Sequence, residues 1–486
     1  MTNAPLDLKA RAHQAMLDAK FHPDFPPEVL REAQSSKSAA PNISAPKVQD
    51  LRSLLWSSID NDSSRDLDQV EYVEKLSNGT LRLLVGIADV DSFVPAGSAI
   101  DQHAASETTS VYTGVTTFPM LPNQLSTAQT SLLGEQDRQA IVIELHIQDT
   151  GDVSCHDVYS ATLRNRAKLA YSSTGAWLEN RGPMPAAIAS VPGMEAQLRF
   201  QLETSLKLRV LRKAHGSLTF ASVEATPVVE NGEVKDLTVM RHDVAEDIIE
   251  SFMVAANVAM AEYLKEHGAL SIRRVVKTPK RWDRIQVIAS QLGVKLPDVP
   301  DPRALSAFLD QRKAADPVHF PDLSLSVVKL LGSGEYIVEH PGEEHEGHFG
   351  LAVQDYTHST APNRRYADLV TQRLLKAAAN NAPAPYPEVE LATIAAHCTE
   401  REDAAKKVER VMRKIIAANL LSGQIGQVFD GIVTGASPKG TFVRLLKFPA
   451  EGMVVRGANG LDVGDQVRVT LASVDAARGF INFERK

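Results

Sequence analysis

The chain has 486 residues, 43% of them hydrophobic, and its 52 Lys and Arg against 60 Asp and Glu leave a formal net charge of -8 at pH 7. At roughly 150 residues per domain this length holds about two to four domains, and the acidic balance excludes a protein that coats nucleic acid over its whole surface, though not one with a local basic channel. Cys155 and Cys398 stand far apart without CxxC or His pairing, which argues against a disulfide framework or a zinc site; no apolar run nears the ~18 residues of a membrane span and the start lacks a signal-peptide core, so a cytoplasmic protein is expected.

In chain order, residues 1–45 read as one short helix, a Pro-punctuated stretch (HPDFPPEVLREAQ) and a tether rich in Ser, Ala and Pro (SSKSAAPNISAP). Next, the segment SIDNDSSRDLDQVEY crowds Asp60, Asp62, Asp66 and Asp68 together just ahead of a hairpin signal at Asn78-Gly79. Self-repelling carboxylates at that density suit a cation, and Mg²⁺ favours oxygen ligation by a few carboxylates, waters and a substrate phosphate. An acidic surface turn is the competing reading. Asp66 and Asp68, two apart, project from one face of an extended segment, and Asp60 can return from the preceding loop to complete a cluster.

Strand patterns continue through TLRLLVGIADV, QAIVIELHI and EATPVVENGEVKDLTVM, after which AEDIIESFMVAANVAMAEYLKEH, RRYADLVTQRLLKAAA and a long segment ending at Leu421 carry apolar residues at helical spacing. Residues 46–420 are therefore expected to form an α+β domain of mixed sheet and helix, and not a doubly wound parallel sheet. Within it, the run IRRVVKTPKRWDR, including Arg274 and Lys277, reads as a phosphate-tracking strip or a solvated basic face. Arg364 and Arg365 follow Pro362 at the start of a helical segment, and guanidinium forks match phosphate oxygens, although a solvated pair is the local alternative. Glu409 has Lys406 and Arg410 nearby and reads locally as part of a surface charge face; Tyr112 and Phe220 read locally as core aromatics. Residues 421–486 change to short strands broken by Gly and Asp, the pattern of a five-stranded OB-type barrel on which Phe429 and Phe442 can stack bases while Lys439 and Arg444 supply charge.

The acidic window, followed by VGIADVDSFVPAGSAIDQHA, SVYTGVTTFPMLPNQLSTAQTSL, AKLAY, GSLTF, IESFMVAAN, STAPNRRYADLVTQRLL and EREDAAKKVER, closely resembles the catalytic RNB domain of the ribonuclease II and ribonuclease R family; the last stretch resembles its S1-like RNA-binding domain. The resemblance implies that Asp60, Asp66 and Asp68 are three of four aspartates that hold catalytic Mg²⁺, with Mn²⁺ as a substitute, and orient the attacking water. The fourth position is Gln69, whose amide oxygen can ligate a metal but adds no negative charge; Asp62 would restore that charge if its loop folded inward. By the same resemblance Arg364 contacts the scissile region, Glu409 belongs to the active site, and Tyr112 and Phe220 sandwich the terminal base. The implied activity is processive hydrolysis of single-stranded RNA from a free 3′ end to nucleoside 5′-monophosphates, by a monomer acting away from membranes. The alternative is a catalytically weakened member that binds RNA 3′ ends as a regulator. Residues 1–45 are too few for the two cold-shock barrels common in the family, so an entrance open to duplexes with a 3′ overhang is expected.

Overall fold

A computed structural model describes residues 6–36, 48–221, 225–230, 233–239, 242–343, 346–437 and 440–486; the expected tether beyond Ser36 and Lys439 lie outside these. The larger part of the chain is built on a curled mixed sheet. Strands Trp56–Asp60, Gln69–Lys75, Leu81–Ala88 and Asp137–Ile147 follow one another across it, and the long strand Val153–Ala170 pairs with both Asp137–Ile147 and Trp56–Asp60, so the sheet closes on itself. The Trp56–Asp60 pairing with Val153–Ala170 is parallel and the other pairings in this ring are antiparallel. Its tight interior requires a glycine: a Cβ on Gly86 would lie 2.7 Å from Leu163 and 3.1 Å from Val70.

Helices cover the sheet as the periodicity predicts. Val244–Glu266 starts at a capping box formed by Asp243 and Glu246, and Met194–His215 ends at Gly216 with φ +101°. One expectation is corrected at the N-terminus. The Pro-punctuated stretch contains a second helix, Pro27–Ser35, because Pro27 occupies the first helical turn, where its missing N–H costs nothing.

The helix Glu388–Leu421 joins the two parts of the chain. Its early buried residues, Leu391, Ala395 and Cys398, belong to the core of the curled sheet, and its later ones, from Ala405 to Leu421, share a second core with the N-terminal helix Leu8–Asp18 and the C-terminal barrel. That barrel closes from Val428–Ser437, Gly440–Leu445, Glu451–Arg456, Phe480–Arg485 and Gln466–Asp475 in spatial order. Arg444 faces the helix Phe320–Leu331 and pairs with Asp322 at 3.0 Å, so its charge ties the barrel to the rest of the chain.

The helix Tyr366–Ala379 is held down by charge. Arg373, 3% exposed along its side chain, pairs with Asp101 at 2.8 Å and Asp91 at 2.9 Å and donates to the Tyr386 hydroxyl and the Val94 carbonyl. One turn on, Lys376 reaches Asp89 and Asp91. Replacing Arg373 by Met would strand Asp101 as an uncompensated buried carboxylate. We expect Arg373→Met to lose about 3–5 kcal/mol of unfolding free energy in a denaturant titration; a loss under about 1 kcal/mol would show that the network is not what holds this helix.

Candidate active site

The acidic segment lies where strand Trp56–Asp60 ends and strand Gln69–Lys75 begins. Its loop is pinned by main-chain bonds: the Leu132 N–H donates to the Leu67 carbonyl, the Ala88 N–H to that of Asp68, and the Ser131 hydroxyl to that of Arg65. Those constraints drive Asp68 inward until it is 1% exposed. Its Oδ1 accepts the Asn363 N–H at 3.0 Å, and its Oδ2 lies 3.3 Å from Arg364 Nε, an ion pair not aligned as a hydrogen bond, so Oδ2 has no donor. Burial pushes the Asp68 carboxyl up to about 7, against the opposing pull of Arg364 and the Asn363 N–H. Burial also raises Asp66, where Arg364 lowers and Asp60 raises the affinity for a proton. The three aspartates thus share one electrostatic neighbourhood around a single guanidinium.

Arg364 and Arg365 arrive from the stretch before the helix Tyr366–Ala379, which pairs with residues 108–110: the Ser110 N–H donates to the Arg364 carbonyl and the Tyr366 N–H to that of Thr108. Beside them opens a cavity of about 270 Å³ lined by Tyr112, Tyr336, Arg364, Arg365, Glu402 and Glu409, among others. Tyr112 is 44% exposed and its N–H donates to Glu409 Oε1 at 3.1 Å. Its hydroxyl lies in the fields of Arg364, Asp66 and Asp68, and burial pushes it up to about 12. An exposed ring, two arginines and a carboxylate therefore meet at the mouth of the acidic cluster. Arg365 is the more constrained of the arginines, since both oxygens of the fully buried Asp368 accept from it at 2.8 Å.

Several expectations need correction. Phe429 is 8% exposed inside the barrel core, edge-on to Phe448, because its strand position faces inward; it offers no stacking face, whereas Phe442 lies on the outward, partly exposed side of its strand. Arg274 is no exposed phosphate contact. It is buried, pairs with Glu402 at 2.9 Å and lies 4.7 Å over the Tyr336 ring, so it braces the cavity wall from behind. Lys277 needs no such correction: half-exposed and paired with Glu335, it lies on the solvated basic face that was the other reading of this run. Phe220 needs none either: it is partly buried against the cluster around Trp282, Phe308 and Phe320. Asp62 is exposed and accepts from the Ser172 hydroxyl, so its loop does not fold inward.

Gln69 is 5% exposed at the first position of its strand, paired with Ile87. One acid was missed by sequence reasoning: Glu71, two residues on, is fully buried, and burial followed by the nearby Asp60 charge holds its carboxyl well above the ordinary range. Its strand, QVEYVEK, also carries Gln69, Glu74 and Lys75, so nothing in the sequence pattern set Glu71 apart.

Asp60, Asp66, Asp68 and Gln69 offer only oxygen donors, one of them a donorless buried oxygen on Asp68, and by that chemistry suit a hard divalent cation, although the three aspartates do not bring their oxygens within 4.8 Å of one another. Among the described residues, three or more His, Cys, Asp or Glu ligand atoms lie within 4.8 Å of one another at Glu144, His146 and His156 and at His242, Asp247 and Glu250. Both groups are already partnered by arginines, Glu144 by Arg82 and Asp247 by Arg209.

The RNB domain family matches residues 48–381, and the RNase II-type exonuclease C-terminal S1 domain matches residues 427–486. Ribonuclease R of Thermotoga maritima is 30% identical across 95% of this chain and 68% of that protein. Among solved structures, Mycoplasma genitalium RNase R in complex with ribose methylated single-stranded RNA shares the fold with a TM-score of 0.89 at 24% identity, covering 99% of this chain and 78% of that one. The same protein in complex with double-stranded RNA gives 0.87 at 25% identity, with 99% and 83% covered. The aspartate cluster, its arginine and the flanking cavity thus sit in a chain that belongs to the RNB family of exoribonucleases, with the RNase II-type S1 domain at its C-terminal end.

Proposed function

We propose that this chain hydrolyses RNA from a free 3′ end, releasing nucleoside 5′-monophosphates processively with Mg²⁺ as the working ion, Mn²⁺ as a substitute, in the cytoplasm. The observation that carries the reading is the convergence of Asp60, Asp66 and Asp68 on Arg364 beside a cavity edged by Tyr112 and Glu409. Bound Mg²⁺ supplies charge neutralisation at the phosphate and a more acidic water. The aspartates would hold that ion and orient the water; the water oxygen bonds to phosphorus as the bond to the 3′ oxygen of the preceding nucleotide breaks, that oxygen leaves as a hydroxyl with a proton given up by the water, and the terminal nucleotide departs as its 5′-monophosphate. Arg364, 43% exposed along its side chain, is free enough to shift from Asp68 toward the phosphate as negative charge builds there. Tyr112 presents its ring to the terminal base, and Glu409 fixes the backbone that carries it. Binding of both single-stranded and double-stranded RNA by the Mycoplasma genitalium relative supports a substrate range that includes duplexes with 3′ overhangs.

The deciding experiment uses 5′-labelled single-stranded RNA with Mg²⁺, a 3′-blocked copy, an EDTA control and Asp68→Asn, with products resolved by length. Metal-dependent shortening from the free 3′ end to a small limit product, lost in Asp68→Asn, is expected. Tight binding without shortening would make the chain a 3′-end-binding regulator instead. Arg364→Lys keeps the charge but loses the fork, and its single-turnover rate is expected to fall about 10²- to 10³-fold with little change in RNA affinity; an unchanged rate would remove Arg364 from the reaction.

Asp68 also predicts a pH effect in EDTA. Its folded value of about 7 stands above the ordinary 3.8, so the folded state keeps a proton that the unfolded chain has lost, and this group's contribution to stability falls as pH rises through that window. Asp68→Asn lacks that loss. Relative to the native chain it should gain up to about 4 kcal/mol between about pH 4 and pH 8 without metal, read as the difference between the two melting curves. A pH-independent difference would show that Asp68 is ionised throughout.

A further inference from the structure

The hairpin that joins strand Asp137–Ile147 to strand Val153–Ala170 carries a second group of ligand-type side chains, toward the opposite end of the sheet from the acidic loop. Gln69 pairs with Ile87 and Ile87 with Ile141, whereas His146 pairs with Arg82, five positions away along both strands, or roughly 16 Å at a strand's rise. Glu144 and His146 are two apart in one strand and so project from the same face. Across the hairpin the register shifts: Glu144 pairs with Asp157 and Leu145 with Cys155, which leaves His156 as the extra residue of a bulge, a feature that re-aims side chains. As a result Glu144 Oε1 lies 3.3 Å from His146 Nε2 and 4.0 Å from His156 Nε2, and the three residues bring one ligand atom each within 4.8 Å of the others. The two imidazoles stack with ring centroids 4.1 Å apart and planes 10° from parallel.

The Glu144 carboxylate is held in place for such a role. Its Oε2 accepts from Arg82 at 2.6 Å and from the Tyr159 hydroxyl at 3.0 Å, which fixes the group and leaves Oε1 to the imidazoles. Arg82 is itself shared with Glu74 at 2.7 Å, so two carboxylates against one guanidinium leave a negative charge that a cation would offset. Ligand atoms of a tetrahedral ion stand roughly 3.3 Å apart. The spacing of Glu144 and His146 already matches, and His156, 56% exposed along its side chain, has room to tilt inward and out of the stack so that both nitrogens aim at one point. Two imidazole nitrogens with one carboxylate oxygen suit a borderline transition ion, and not Mg²⁺, which takes oxygens. We propose that Glu144, His146 and His156 form a Zn²⁺ site separate from the acidic cluster, its coordination completed by water, that ties the hairpin across its bulge.

The test is Zn²⁺ binding to the full chain in excess Mg²⁺, read by competition with a chromogenic chelator, together with the Zn²⁺-induced rise in melting temperature. The variants are His156→Ala, whose exposed side chain can be removed without opening a core, His146→Gln and Asp68→Asn. One Zn²⁺ per chain is expected outside the acidic cluster, so Asp68→Asn should bind it within twofold of the native chain. His156→Ala and His146→Gln should each weaken it by roughly tenfold or more and lose most of the rise in melting temperature. A smaller weakening in either histidine variant would overturn the three-ligand site. Absence of Zn²⁺ binding by the native chain would do the same, leaving an ion-free stacked pair beside Glu144, and loss of binding in Asp68→Asn would overturn it by assigning the ion to the acidic cluster.

Discussion

The carboxylate of Asp68 is taken out of water between the rim of a closed sheet and the segment leading into the helix Tyr366–Ala379, and most of the active-site architecture exists to make that tolerable. A single N–H from Asn363 and an imperfectly aligned Arg364 satisfy it only in part. An acid held so far above its ordinary value is poised to exchange a proton for a cation, which a well-solvated aspartate would not need. The same desolvation that costs stability thus strengthens whatever electrostatic interaction the site makes with an ion or a phosphate.

That poise requires the donor side to be rigid. Asn363 is oriented by the Thr130 hydroxyl, Asp368 accepts the Ala361 N–H while gripping Arg365, and the helix behind them is anchored by Arg373 and Lys376 on Asp89, Asp91 and Asp101. Cations at this end of the molecule therefore fall into two kinds. Arg273, Arg274, Arg365 and Arg373 are held by carboxylates and shape the walls; Arg364 is the cavity-lining arginine whose partner is itself an acid of the proposed metal site. The long helix Glu388–Leu421 then couples this centre to the barrel, since it carries Glu402 and Glu409 into the cavity and its last turns into the core shared with the barrel.

The site was partly legible before any coordinates. The spacing of Asp60, Asp66 and Asp68 raised the expectation of a metal centre because short-range repulsion among carboxylates is a property of nearby residues. Tyr112 and Glu409, nearly 300 positions apart, were matched only by resemblance, and the structure joins them by one hydrogen bond. Phe429 and Arg274 misled for a common reason: an aromatic or a cation looks available in a sequence whether it points into a core or out of it. Phe429 faces inward because of its place in the barrel's alternation, and Arg274 is consumed by Glu402, which lies 128 positions away. Glu71 passed unnoticed for the converse reason, since a strand acid is unremarkable until its carboxylate is seen to be buried without a hydrogen-bond partner while Gln201 donates elsewhere.

By itself the sequence determined the local elements: the hairpin over Asn78-Gly79, the amphipathic helices, the short strands of the barrel and the acidic loop, all of which follow from periodicities and turn residues a few positions apart. Only the tertiary structure decided which charges are buried and with what partner. Desolvation and pairing depend on what packs over a side chain, and the residues that pack over Asp68, Glu71 and Arg274 come from segments more than a hundred residues away.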